Sequence, residues 1–337
     1  MIHDKEFYLL VFSHLLDVSS SYSQQLAEKP KPSLKPHGAI LIYSNEGFTP
    51  PGAKRGCQCV TSGSGTPNAP YIIENWDIES SSFYGINIRE TKVHFIIRNV
   101  KVAYKGSGLF GGILLQGVEN GVIEKVDITG ATAYGISLKG SKKNKLTGNS
   151  IVNNKGSGIY LSKSEGNTLE NNTVKGSGIF GIHLEVSNEN ALSGNTVVEN
   201  QKGGVFLRGF KNDLVRNTIK NNLDDGISAD MLRTSRLINN TICGNKNWGI
   251  RLRDASDVTV DGNTICENGY GMYLEQSENN SIMNNTFTKN GGKEMIVEIR
   301  GRKNRFINNK VDGKVKDQAS SEKKKESPGS SNSGKDN

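Results

Sequence analysis

The stretch GIYLSKSEGNTLENNTV, residues 158–174, decides the fold. In it Ile159 and Leu161 alternate with Tyr160 and Ser162, Leu169 stands alone in a polar run, and Val174 follows after one more turn. Apolar alternation over three or four residues, broken by Gly, Asn and Ser, is too short for an amphipathic helix. It reads as three short strands joined by tight turns.

The same pattern recurs along the chain. A glycine followed by an aliphatic or methionine stands at Gly112, Gly135, Gly158, Gly181, Gly204, Gly226, Gly249 and Gly271, in steps of 22 or 23 residues. A second mark, Asn then Thr or Ser then an apolar residue, keeps the same period at Asn149, Asn172, Asn195, Asn217, Asn240, Asn263 and Asn285. Three short strands per unit, with no local partner strand, describe one coil of an all-β, single-stranded parallel β-helix. Such a coil buries its inward residues only against the next coil, ~4.8 Å away, so the unit must repeat. One inward column is expected to run Ile86, Ile113, Ile136, Ile159, Ile182, Val205, Ile227, Ile250, Met272, and a second Ile88, Leu115, Leu138, Leu161, Leu184, Leu207, Ala229, Leu252, Leu274. Only Ala229 is undersized. The asparagines, with Asn309, are expected at one corner, where they tolerate a left-handed turn and hydrogen-bond from coil to coil. NNT and NNS also read as glycosylation acceptors in a secreted chain.

Composition fits a thin core. The 337 residues include 39 glycines, with 34% hydrophobic and 7% aromatic content. ENWDIES and RNVKVAY fit third-strand positions. The expected organisation is therefore a leader or unplaced segment over 1–36, a cap and first coil over 37–82, β-helix repeats over 83–312, and a disordered polar tail over 313–337. No apolar run reaches 18 residues, so no transmembrane helix is expected. FYLLVFSHLL has the length of a signal-peptide apolar region, but MIHDKE before it lacks the usual positive charge. The formal net charge of +8 is mostly spread along the chain, apart from EKKKE near the C-terminus, and reads first as a solvated surface. No nucleic-acid partner is expected.

At this point a family resemblance is visible. The GNTI and GIxL marks, over about residues 83–312, resemble those of right-handed parallel β-helix proteins of the NosD-like group, also described as carbohydrate-binding and sugar-hydrolase repeats. The segment GSGTPNAPYIIENWDIESSSFYGINIRETKVHFIIRNVKV resembles the start of the β-helix domain in many archaeal surface or secreted proteins. The resemblance implies a right-handed solenoid and an extracellular, cell-surface or periplasmic location. Members of the group include polysaccharide lyases, epimerases and hydrolases, non-catalytic surface proteins, and a periplasmic accessory of copper-enzyme maturation. The DPHD-type element of alginate epimerases and the GHG element of polygalacturonases are absent, so no catalytic residue carries over; the pair Asp224 and Asp225 resembles one polygalacturonase fragment.

Function must then lie in the outward columns. Two residues after each glycine stand Ser137, Tyr160, His183, Phe206, Ser228, Arg251 and Tyr273. Four after it stand Lys139, Ser162, Glu185, Arg208, Asp230, Arg253 and Glu275, with Arg300 expected next. One reading is a groove for an extended, acidic glycan. Tyr160, Phe206 and Tyr273 would offer ring faces, His183, Glu185, Asp230 and Glu275 polar contacts, and Arg208, Arg251 and Arg253 would hold carboxylates. The plainer reading is a charge ladder that supports strand register, at roughly 0.2 to 1 kcal/mol per pair. A flat stacked face also suits a protein partner.

Catalysis is the less favoured alternative. Glu185 and Asp230 would stand two coils apart, ~9.6 Å, near the upper end of the separation in inverting hydrolases. Arg208 and Arg253 beside them would hold both carboxylates ionised, which disfavours a general acid. A lyase or epimerase acting on uronates could use Arg208, Arg251 or Arg253 as the cation and His183 or Tyr160 as the base, with Asp230 as a further candidate. The even step leaves no long loop to wall off such a site.

No cofactor is predicted. Cys243 and Cys266 hold the same place in adjacent coils, close enough for a disulfide or for a soft metal such as copper(I), or they are one cysteine copied by repeat drift. Cys57 and Cys59, in CQC, are a second candidate pair. Calcium could bridge Asp224, Asp225 and Asp230, or Asp254 and Asp257.

Overall fold

The computed structural model describes residues 33–81, 83–292 and 296–318 of the protein. The β-helix lies in the unit Leu34–Asn337. The apolar stretch FYLLVFSHLL, EKKKE and most of the expected leader and tail lie outside the described residues.

Each coil supplies three strands, as the alternation of apolar positions requires. First strands such as Ile136–Lys139, Ile159–Ser162 and Phe180–Glu185 stack in parallel into a sheet that has eleven strands among the described residues. Second strands such as Thr168–Glu170 and third strands such as Thr173–Lys175 stack likewise on the neighbouring coils. Trp76–Ser80 and Lys101–Tyr104 are third strands, in register with one another and with Asp127–Thr129.

Both inward first-strand columns are buried along their length, Ala229 included, and Leu232 from the strand of Ala229 also reaches the core. The second strands add Ile123, Leu146, Leu169, Leu192 and Leu214, and the third strands Ile128, Ile151, Val174, Val197 and Ile219. The repeated glycine marks a close approach rather than a left-handed turn. A Cβ on Gly158 would lie 2.2 Å from Val174 Cγ1 and 2.8 Å from the carbonyl oxygen of Gly181. Any side chain there would force the third strand and the next coil apart.

The corner asparagines form the expected ladder. The Asn172 side-chain oxygen accepts from the Asn149 backbone N–H (3.1 Å) and the Asn149 amide (2.8 Å), while its own amide donates to the Leu146 carbonyl (2.9 Å) and to Asn195 (2.9 Å). A buried amide is tolerated because all of these groups find partners. The left-handed residues are those just before the ladder: Gly148, Asn171, Gly194, Arg216, Asn239, Gly262, Asn284 and Asn308 have φ between 53° and 66°. The turn is thus made one residue earlier than the sequence reading placed it. Two further ladders run through Asn144, Asn167, Asn190 and Asn212 and through Asn200, Asn222, Asn245, Asn268 and Asn290.

The ends depart from the expected boundaries. Lys35–His37, two residues of which were read into the leader, pairs with Trp76–Ser80 as a first third-strand. At the other end Lys314–Gln318, read as tail, folds back antiparallel on Arg305–Val311. That hairpin covers an edge that would otherwise offer unpaired backbone groups.

Candidate functional site

The outward side of the first-strand sheet carries two interlocking columns. One is the column two residues past the glycine. The other, missed in the sequence, is the residue immediately before it: Tyr134, Ser157, Phe180, Gly203, Asp225, Trp248 and Tyr270. In three coils a small residue in one row stands beside a large one in the other, whereas Phe180 with His183, Trp248 with Arg251 and Tyr270 with Tyr273 are large in both. Ser157 precedes Tyr160 and Gly203 precedes Phe206, while Tyr134 precedes Ser137.

An aromatic stripe results. Tyr134 and Tyr160 stack with centroids 4.3 Å apart and planes at 11°. His183 packs edge-on against Tyr160 (5.0 Å), Phe180 (5.2 Å) and Phe206 (4.9 Å). The stripe resumes two coils later, with Trp248 4.6 Å from Tyr270 and 5.0 Å from Tyr273. Near-parallel stacking between adjacent coils means that Tyr134 and Tyr160 cover each other's faces, so Tyr160 offers a ligand its edge and hydroxyl. Burial among these rings lowers the His183 pKa against the opposing pull of Glu185, whose Oε2 lies 3.5 Å from Nε2. His183 is therefore neutral at neutral pH.

The stripe is interrupted where the coil of Gly226 presents only Asp225 and Ser228. In register across that coil Phe206 is followed by Ser228 and Arg251, and the Arg251 side chain reaches back over Ser228 and Asp225, so the stripe has a polar notch between Phe206 and Trp248. Its floor is polar. Asp225 is buried; Oδ1 accepts from the Trp248 backbone N–H (3.1 Å), and Oδ2 lies 2.7 Å from Arg251 Nε in an ion pair without good hydrogen-bond alignment. Arg251 Nη2 also donates to Ser228 Oγ at 3.1 Å. Burial raises the Asp225 pKa to about 6; Arg251 opposes this and Asp224 adds to it. Asp224 itself accepts from the Asn247 amide at 3.0 Å.

The charged column is less regular than its sequence. Arg208 Nη1 lies 3.3 Å from Glu185 Oε1, and Arg253 Nε 3.6 Å from Glu275 Oε2. The register slips between Leu207 and Gly209, so Arg208 turns its other nitrogen to Met231 Sδ, 3.4 Å away, and Asp230 is left opposite Arg253 in register. Ile299, and not Arg300, pairs with Glu275. Arg300 occupies the left-handed corner beyond, at φ 54°.

The cysteines are removed from this face. Cys243 and Cys266, in adjacent third strands, form a disulfide with alpha carbons 4.5 Å apart, and Cys57 and Cys59 form another at 5.1 Å. All four sulfurs are therefore committed, which corrects the thiol-metal reading of both pairs. Among the described residues no three His, Cys, Asp or Glu side chains converge on a common point, the Asp224–Asp225–Asp230 and Asp254–Asp257 groups included.

Comparison with known proteins agrees with this architecture. Residues 42–197 match the family described as right-handed beta helix region, and residues 174–315 the family described as periplasmic copper-binding protein (NosD). The chain is a right-handed parallel β-helix protein with NosD-like repeats. Among solved structures this β-helix is similar to the A-modules of the Azotobacter vinelandii mannuronan C-5 epimerases AlgE4 (15% identity, TM-score 0.59, covering 71% of this chain and 80% of that one) and AlgE6 (16%, 0.59, 72% and 82%). A variant of the periplasmic alginate epimerase AlgG is also similar (16%, 0.52, 69% and 78%). At such identities the likeness concerns the fold. No curated protein sequence matches the chain significantly. As for the copper in the second family description, the described cysteines are tied into disulfides, and among the described residues His37, His94 and His183 join no group of three His, Cys, Asp or Glu side chains.

Proposed function

We propose that the protein is a secreted or surface β-helix that binds polysaccharide along its first-strand face without chemically altering it. The observation that carries this reading is the aromatic stripe with its single notch. A row of partly exposed rings on a rigid sheet gives sugar rings an apolar contact, and the notch between Phe206 and Trp248 sets Arg251 and Ser228 among them as polar groups. Hydroxyls and arginines along the same face supply polar contacts to the neighbouring units. The similar alginate epimerases act on a polysaccharide, by their names, which favours a glycan over a protein partner. Two disulfides fit an oxidising compartment. The evenly stepped coils build no walls around the face, and an open surface does not exclude water from a reaction.

A glycan array tests the reading. Binding by the wild type, reduced at least tenfold in Phe206→Ala with Trp248→Ala, supports it; equal binding by that variant moves the site elsewhere.

One observation favours an enzyme as the second reading. Asp225, with its pKa near 6, lies against Arg251, and a proton-accepting group beside a cation is what a uronate lyase or epimerase requires. Absorbance of unsaturated product, with proton NMR for epimerisation, distinguishes it: a signal in either with polyuronates replaces binding by catalysis.

A further inference from the structure

The floor of the notch is an unusual place for an ion pair. Elsewhere on the protein, acid–base pairs such as Lys142–Glu165 and Arg236–Asp213 stand in solvent, where they are worth little. Asp225 is 1% exposed, and its partner Arg251 reaches it from the next coil while remaining 29% exposed. Arg251 therefore has Nε on a buried carboxylate and Nη2 on Ser228 Oγ, while part of its side chain stays open to solvent. A part-exposed arginine flanked by Phe206 and Trp248 along the stripe is the kind of group that recognises a carboxylate.

We propose that the notch is a subsite for a carboxylate-bearing sugar unit, that Arg251 takes the sugar carboxylate, and that Asp225 is an internal competitor for the same guanidinium. The proposal rests on the glycan-binding reading and names both the ligand class and the control of the site. When Asp225 is ionised, Arg251 is neutralised from within, and a second carboxylate would enter beside an existing negative charge. When Asp225 is protonated, Arg251 carries its full charge toward the ligand, with Ser228 Oγ still holding Nη2 in place.

The charged groups around Asp225 leave this competition local. Its own coil contributes Asp224 and Asp230, the preceding coil Lys202 and Arg208, and the following coil Lys246, Arg251 and Arg253. Among these, Arg251 makes the ion pair with it, while Arg208 is engaged by Glu185 and Arg253 by Glu275. Sugar carboxylates ionise in the ordinary carboxylate range, roughly pH 3.5 to 4. Burial of Asp225 holds its proton up to about pH 6. Between these values the ligand is charged and its competitor is not.

The test is calorimetric titration of the full chain with oligogalacturonate, oligomannuronate and a carboxyl-reduced, neutral oligomer, at pH 5 and pH 7. The wild type is expected to bind an acidic oligomer about tenfold more weakly at pH 7, because the competent protonated fraction falls by that factor above the midpoint. Asp225→Asn should bind at pH 7 as the wild type does at pH 5, and Arg251→Gln should lose the preference for the acidic over the neutral oligomer. In the wild type, saturating acidic oligomer should shift the carbon-13 titration midpoint of the Asp225 carboxyl upward, a reciprocal effect that needs no variant. Acidic-oligomer binding without pH dependence, or with the same dependence in Asp225→Asn, overturns the proposal while leaving glycan binding intact. Binding of the neutral oligomer alone does the same. Absence of binding by all three oligomers at both pH values overturns the proposal together with the reading beneath it.

Discussion

Asn172 and Asp225 are both buried polar side chains of the same solenoid, and they behave in opposite ways. Asn172 spends its amide on a backbone carbonyl and on the next asparagine, and its oxygen on two donors of the coil before. Asp225 has one backbone donor and a single, poorly aligned cation, and burial lifts its pKa to about 6. The asparagine repeats because every coil needs the corner it stabilises; the aspartate occurs once because no coil needs it. Within a repeat protein, a buried polar group that is fully satisfied and periodic belongs to the scaffold, and one that is neither belongs to the surface it serves.

The sharpest way to break this contrast is to remove one rung. Asn195→Ala takes the acceptor from the Asn172 N–H and amide and the donor from the Leu169 carbonyl. With several buried groups left unpaired, it should cost about 4 kcal/mol, read as a lower urea midpoint. A loss below about 1 kcal/mol would show that the ladder is decorative.

Asp225→Asn should do the reverse at high pH. The folded state holds the Asp225 proton to about pH 6, whereas the unfolded chain releases it near the ordinary value of roughly 3.9. The stabilising contribution of the protonated carboxyl is complete at low pH and is lost as pH rises through the folded value. Relative to the asparagine variant, the wild type should therefore lose on the order of 3 kcal/mol between pH 4 and pH 8. Parallel pH profiles of the two proteins would contradict the buried, strained character of this group.

The smallest stability effect belongs to the aromatic face. Tyr160→Ala and Tyr273→Ala expose no core, and each should change the urea midpoint by the equivalent of about 1 kcal/mol or less, comparable to the loss of an aromatic pair. A much larger loss would make the stripe a part of the scaffold.

The solenoid could be read from the sequence because its physics is periodic. Ile159, Leu161, Leu169 and Val174 each recur at the coil step, and parallel stacking turns recurrence into columns. The first ladder was visible through its NT mark; the ladders of Asn144 and Asn200 lack one constant neighbour and were not singled out. Tyr134, Phe180, Trp248 and Tyr270 are hidden in the sequence, and Asp225 stands out there only as half of an acidic pair, because the apolar alternation is legible only after each glycine, although the residue before it projects onto the same face. The signal was present as one large or acidic residue just before a repeated glycine. The slip at Arg208 and the place of Arg300 depend on local bulges and turns, which spacing alone does not encode.

The central claim, that the first-strand face between Phe206 and Trp248 binds glycan, is tested most directly by a hydrogen-exchange footprint on the wild type, taken at pH 5 with and without saturating acidic oligosaccharide. Slower exchange confined to the strands Gly203–Phe210, Ile227–Arg233 and Trp248–Arg253 is the predicted result. Unchanged exchange there, or protection centred on the third strands around Cys243 and Cys266, would contradict it.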